Sequence, residues 1–87
     1  MLCTSSRRVF VDYILQKLKI RNYFDHIICG EDVETGKPAP DIFVKAKKMV
    51  GLNNVLVIED SKGGLISAKK AKCHCLVINK KKVYFYN

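Results

Sequence analysis

Apolar and polar positions along this chain switch repeatedly between a period near two and a period near 3.6. Leu2-Cys3-Thr4 is a short apolar run ending in a hydroxyl and reads as the last residues of a buried strand. Ser5 or Ser6 can cap a helix running to about Lys19, in which Phe10, Ile14 and Leu18 fall at i, i+4 and i+8 and predict the core-facing stripe. A short apolar strand is expected at about His26 to Cys29. The stretch from Gly30 to Ala39, with Glu31, Asp32, Glu34 and Lys37, is dense enough in charge to predict an exposed loop. Pro40 can open the next helix, where its missing N–H costs nothing. Ile42, Phe43, Ala46, Met49 and Val50 give that helix its buried face, and Gly51 ends it. Val55-Leu56-Val57-Ile58 is a continuous aliphatic run, as expected of a parallel strand covered on both faces, and it stops at Glu59-Asp60. Gly63-Gly64 permits a close approach ahead of a helix to about Lys72, and Leu76 to Ile78 supply one more short strand. The predicted order is β-α-β-α-β-α-β, an α/β unit without internal repeats or a linker.

Composition narrows this picture. A chain of 87 residues makes one domain and buries only about 60% of the surface its unfolded form exposes. With 48% hydrophobic and 28% charged residues it is expected to pack rather than stay disordered. No apolar run approaches the roughly 18 residues a membrane helix needs, and Met1 to Arg8 lacks the apolar stretch of a signal peptide. Membrane and secretory readings are therefore set aside, and a cytoplasmic location is expected.

The net charge of +8 is unevenly distributed. Residues 1 to 60 hold nine basic and eight acidic groups, whereas residues 61 to 87 hold seven Lys and no acid. Lys80-Lys81-Lys82 followed by Tyr84, Phe85 and Tyr86 is the one candidate for a nucleic-acid or polyanion surface, but charge runs usually remain solvated. Residues 80–87 are therefore expected to form a basic and aromatic tail, with nucleic acid not the expected partner. The four cysteines favour small buried thiols over a zinc site. In a strand, Cys73 and Cys75 point to one face and His74 to the other, so the three cannot share one ion.

Open parallel sheets bind ligands beyond the carboxyl ends of their strands, where loops enter helix N-termini. Thr4 and Ser5 follow the first strand, Glu59 and Asp60 end the third, and Lys37 lies in a loop leading to a helix. A hydroxyl, an ammonium and helix N–H groups suit a phosphoryl group, and paired carboxylates suit Mg2+, a hard ion preferring oxygen ligands.

Three stretches carry a resemblance in the matching order. Leu2-Cys3-Thr4-Ser5-Ser6, Gly36-Lys37-Pro38-Ala39-Pro40-Asp41-Ile42-Phe43, and Val57-Ile58-Glu59-Asp60-Ser61 followed by Gly64, Leu65, Ala68 and Ala71 resemble the second, third and fourth motifs of the haloacid dehalogenase superfamily. The similarity is to its β-phosphoglucomutase and small-metabolite phosphatase branch, and it runs over about residues 2 to 79. It implies a Rossmann-like, three-layer parallel sheet over residues 1–79. It also implies Mg2+-dependent hydrolysis or mutation of a small phosphorylated metabolite through a phosphoaspartyl intermediate. By the same resemblance Thr4 and Lys37 hold phosphoryl oxygens, Ser5 adds a substrate contact, Asp60 binds Mg2+ directly and Glu59 holds a metal-bound water.

The chain departs from that pattern in one large respect. It has no Asp-x-Asp motif, which in the family supplies the nucleophile and the acid/base, and no helical cap. The resemblance puts the missing motif's strand centrally, between the strand ending at Thr4 and the one ending at Asp60. The expectation is thus the C-terminal part of a phosphatase core, inactive by itself. Direct pairing of the two orphaned strands, self-association or a complementing N-terminal half would each offset the loss. Lys72 stands where the family usually has Gly, a costly exchange if the position needs positive φ.

Overall fold

The computed structural model describes residues 1–51 and 53–87. The elements run β1 (Leu2–Cys3), α1 (Arg8–Leu18), β2 (Ile27–Ile28), α2 (Asp41–Val50), β3 (Leu56–Glu59), α3 (Lys62–Lys70), β4 (His74–Asn79) and β5 (Lys82–Tyr86). The first seven follow the predicted order. β1 pairs with β2 in parallel, β3 with β4 in parallel, and β4 with β5 antiparallel. These ladders form two sheets, β1-β2 and β3-β4-β5. Among the described residues no ladder joins β1 to β3, so the orphaned strands do not pair directly.

The core divides in the same way. α1 covers one face of β1-β2 through Val11 and Leu15, which pack with Cys29, Leu2 and Ile27. The opposite face of that pair, Cys3 and Ile28, joins Ile42, Phe43 and Ala46 of α2. Three layers therefore exist over β1-β2. Under β3-β4 the residues Val57, Cys75, Ala68 and Ala71 bury against α2 and α3. The other face of that sheet is open: Leu56, Ile58, Ile78, Val83 and Phe85 are exposed, and only two layers exist there. The continuous Val55–Ile58 run is thus covered on one face, not two.

The face of α1 also differs from the expected stripe. Phe10 and Leu18 are 57% and 59% exposed, while Val11 and Leu15 are buried. α1 carries apolar residues around most of its circumference, so periodicity alone admits more than one stripe, and the position of β1-β2 selects Val11 and Leu15. Neither serine caps the helix. Its N-cap is Arg7, without a side-chain cap bond, and the Ser6 N–H donates instead to Thr4 Oγ1 at 3.1 Å. In α2 the residues Ile42, Phe43 and Ala46 are buried as predicted, but Met49 and Val50 in its last turn are exposed. Gly51 closes that helix with φ +67°, a conformation only glycine adopts without penalty.

The basic tail is structured. Val83 to Tyr86 alternate between faces with a period of two, and Lys82–Tyr86 pairs with β4 across a two-residue turn at Lys80-Lys81. Tyr86 packs against the core below the sheet, while Phe85 stacks on His74 on the other face. Cys73 and Cys75 are buried and His74 is exposed, as strand alternation requires.

Lys72 has φ +60°. A side chain in this left-handed region meets its own backbone, so Lys72→Gly is expected to stabilise the chain by about 1 kcal/mol. Urea denaturation of the two proteins checks this; an unchanged or lowered midpoint contradicts it.

Candidate functional site

The carboxyl ends of β1 and β3 lie on the same side of the molecule, and the loop before α2 crosses between them. Thr4 continues β1, Glu59 and Asp60 end β3, and Lys37 reaches in from the loop. All four line one cavity of about 410 Å³. Four of the five residues predicted from the sequence are brought together in this way. Ser5 is exposed and does not line that cavity; its carbonyl lies instead against Gly30, where any Cβ would collide with it.

An ion pair organises the centre. Lys37 Nζ lies 2.8 Å from Glu59 Oε2, with the two side chains 15% and 9% exposed. The same ammonium lies 3.4 Å from the Cys3 carbonyl oxygen and 5.2 Å from the centre of the Phe43 ring. Of its three N–H donors, two are committed to Glu59 and Cys3, which leaves one for the cavity. Glu59 is also engaged on its other oxygen. Oε1 accepts from the Asp60 N–H at 3.1 Å and the Ser61 hydroxyl at 3.3 Å. Burial pushes the Glu59 carboxyl up, but the Lys37 hydrogen bond, the Asp60 N–H and the Lys37 charge together hold it below its ordinary range.

Local sequence explains why Glu59 can sit there. Ser61 caps α3 by accepting from the Gly64 N–H at 3.0 Å, which turns the first turn of α3 toward the end of β3. A Cβ at Gly64 would fall on the Glu59 carboxylate, so the close approach expected of Gly63-Gly64 is required at Gly64 alone. Ser67, fully buried, donates to the Ala39 carbonyl oxygen and ties the lysine loop to α3. Sequence reasoning passed over Ser67; its signal was a hydroxyl among the small residues of the buried face of α3. The Lys37–Pro38 peptide is cis.

Away from the cavity, Asp32 accepts from the Cys29 N–H at 2.8 Å and pairs with Arg8. The backbone hydrogen bond from Cys29, then Arg8, holds its carboxyl below the ordinary range against the effect of burial. This network fastens the start of α1 to the end of β2. The loop after Gly30 is therefore only partly the exposed segment its charge predicted.

Because Glu59 is held below its ordinary pKa of 4.5, it stabilises the fold at pH values above that figure. That contribution is lost as pH falls through the depressed folded value. The unfolding free energy of the chain is expected to fall between pH 5 and pH 3 more steeply than that of Glu59→Gln, which has no proton to take up at this site. Parallel slopes in urea titrations of the two proteins would contradict the assignment.

Glu59 and Asp60 provide hard oxygen donors suited to Mg2+. Glu59 is committed to Lys37, Asp60 N–H and Ser61, whereas the Asp60 carboxylate is exposed at the cavity. Among the described residues no group of three or more His, Cys, Asp or Glu side chains converges as a metal cluster. The donor set thus offers a hard cation one uncommitted carboxylate, that of Asp60, which by itself is only part of a Mg2+ shell.

Residues 1–78 match the family model of haloacid dehalogenase-like hydrolases. The chain belongs to that family. As a haloacid dehalogenase-like chain it is 37% identical over 59 residues to the phosphorylated carbohydrates phosphatase of Thermotoga maritima, covering 66% of this chain and 27% of that protein. It is 34% identical over 74 residues to the phosphoglycolate phosphatase of Escherichia coli K12, covering 83% and 29%. A Thermotoga maritima crystal structure assigned as a β-phosphoglucomutase superposes with a TM-score of 0.76 at 32% identity, over 79% of this chain and 33% of that one. This haloacid dehalogenase-like chain therefore spans about a third or less of the length of these relatives.

Proposed function

We propose that this chain is the phosphoryl- and Mg2+-binding part of a phosphomonoesterase or phosphomutase acting on a small phosphorylated metabolite. The observation that carries this reading is the meeting of Thr4, Lys37, Glu59 and Asp60 around one cavity at the carboxyl ends of two parallel strands. The remaining Lys37 donor and the Thr4 hydroxyl suit two phosphoryl oxygens, and the lysine charge offsets the anion's approach to a carboxylate nucleophile. Mg2+, when bound, supplies charge neutralisation at the phosphoryl group. Asp60 would hold the ion directly. Glu59, engaged as it is with Lys37, Asp60 and Ser61, would hold a water of its shell while keeping Lys37 in place. Ser5 would contribute only by moving toward the substrate. Similarity to two phosphatases and a protein assigned as a mutase supports the reaction class. The phosphoaspartyl route requires a carboxylate from outside these residues.

Orthophosphate and Mg2+ titrated into the isotope-labelled chain are expected to shift the amide resonances of Thr4, Lys37 and Asp60 together, with weak affinity, and Asp60→Ala is expected to lose the Mg2+ response. In a longer product that contains the chain and shows Mg2+-dependent phosphatase activity, Asp60→Ala or Lys37→Ala is expected to lower kcat by about 100-fold or more. Absence of any shift in the chain, or undiminished turnover in those variants, would remove the assignment. A polyanion surface on the C-terminal third has less support, because Tyr86 and Phe85 fall on opposite faces of the hairpin and form no common stacking platform.

A further inference from the structure

β5 is the outermost strand of the β3-β4-β5 sheet, and among the described residues its far edge has no ladder partner. The direction of its backbone groups follows from the strands beside it, because the N–H and C=O of one strand residue point the same way and those of the next point the opposite way. The His74 N–H donates to the Val55 carbonyl of β3, so the backbone groups of Leu76 and Ile78 also face β3, while those of Cys75, Val77 and Asn79 face β5. Their partners in register are Tyr86, Tyr84 and Lys82, which therefore bond to β4. Val83 and Phe85 are each left with an outward N–H and C=O. The side chains at this edge are apolar and solvated: Val83, Tyr84 and Phe85 are 60%, 43% and 59% exposed. The strand has no bulge, proline or acidic residue to blunt its edge, only the lysines at its start.

We propose that this edge pairs antiparallel with the same edge of a second copy of the chain, about a two-fold axis at Tyr84. Val83 then stands opposite Phe85 of the second copy and Phe85 opposite its Val83, so that every outward N–H and C=O of both strands finds a partner. Tyr84 meets its own counterpart at the axis, and Lys82 lies opposite Tyr86 of the second copy. On the open face of the sheet, Val83 and Phe85 shield each other across the junction. Charge selects this direction. Antiparallel pairing puts the two lysine turns at opposite ends of the joint ladder, about 20 Å apart and beyond the ~8 Å reach of a charge at physiological salt. Parallel pairing would set Lys80, Lys81 and Lys82 of both copies side by side, with no acid in residues 61–87 to offset them. The contact is self-complementary and closes at two copies. One strand edge buries well below the ~1,200 Å² of a stable interface, so the dimer is weak, with a dissociation constant on the order of 100 μM. The inference rests on the outer edge of β5, independently of the orphaned edges of β1 and β3 and of the proposed chemistry at Lys37 and Asp60.

The test is amide hydrogen exchange of the 87-residue chain at two concentrations. Between about 20 μM and about 2 mM, mass action with that dissociation constant is expected to slow exchange at Val83 and Phe85 about fivefold. Tyr84 and Tyr86, already bonded to β4, should change little. Tyr84→Lys and Tyr84→Glu each place like charges directly opposite at the axis and should each lose the concentration dependence. An equimolar mixture of the two variants, at the same total concentration, should restore it. Phe85→Pro removes an outward N–H without touching the β4 ladder and should also abolish it, with slow exchange at Tyr84 and Tyr86 reporting that the hairpin persists. Exchange at Val83 and Phe85 that does not vary with concentration would overturn the proposal. So would association that leaves these two amides unchanged, as packing of two open apolar faces would, or a mixture of the charged variants that protects no better than either alone.

Discussion

Lys37→Met is expected to lower the unfolding free energy of the chain by about 3 kcal/mol or more, because it strands the Glu59 carboxylate in a site built for an ion pair. Glu59 is 9% exposed and Lys37 15%, so neither charge can regain full hydration by a small shift. The substitution removes the bond to Cys3 and the cation over Phe43 as well, contacts that tie β1 and α2 to the lysine bound at the end of β3. Urea denaturation at neutral pH gives the measurement. The double variant Lys37→Met/Glu59→Gln is expected to recover much of the loss, since a neutral amide keeps the Asp60 and Ser61 hydrogen bonds without an unpaired charge. A cost below about 1 kcal/mol for the single variant would mean that the pair behaves as an exposed surface ion pair.

The second large effect concerns turnover. The isolated 87-residue chain is expected to hydrolyse an aryl phosphate with Mg2+ no faster than its Asp60→Ala variant, even when folded. Covalent phosphoryl transfer needs a nucleophile held about 3 Å from phosphorus. The carboxylates lining the cavity are Glu59 and Asp60. Glu59 is bound on both oxygens to Lys37, Asp60 N–H and Ser61, and Asp60 is the exposed carboxylate to which the proposed reading assigns Mg2+. Using either as nucleophile would sacrifice the charge arrangement that attracts phosphate and leave no separate acid for the leaving oxygen. Steady-state hydrolysis of 4-nitrophenyl phosphate by both proteins tests this. Robust turnover that disappears with Asp60→Ala would overturn it and identify a nucleophile within these residues.

Much of this chain was legible from local pattern. The order of seven elements follows from runs of aliphatic residues separated by helical periods, and the αL cap at Gly51 follows from where the period of α2 stops. The convergence of Thr4, Lys37, Glu59 and Asp60 on one cavity was legible because each sits at a strand end or in the loop before a helix. In a parallel sheet those positions fall on one edge whatever the details of packing.

What only the tertiary structure decided depends on neighbours distant in sequence. The apolar residues of α1 allow several buried stripes, and the location of β1-β2 selects Val11 and Leu15 over Phe10 and Leu18. Lys80–Lys82 reads locally as solvated charge, yet the pairing of Tyr84 and Tyr86 with β4 draws it into a hairpin turn. Val55 to Ile58 reads as a strand covered twice, because hydrophobicity records what a strand can bury and not what lies beside it. Here one face of β3 and one edge remain uncovered. The role of Glu59 was the hardest to foresee: only the approach of Gly64 and the reach of Lys37 across 22 residues make it the buried partner of that lysine. Local sequence sets which residues reach the sheet edge, while long-range packing sets which of them are paired, desolvated or left exposed.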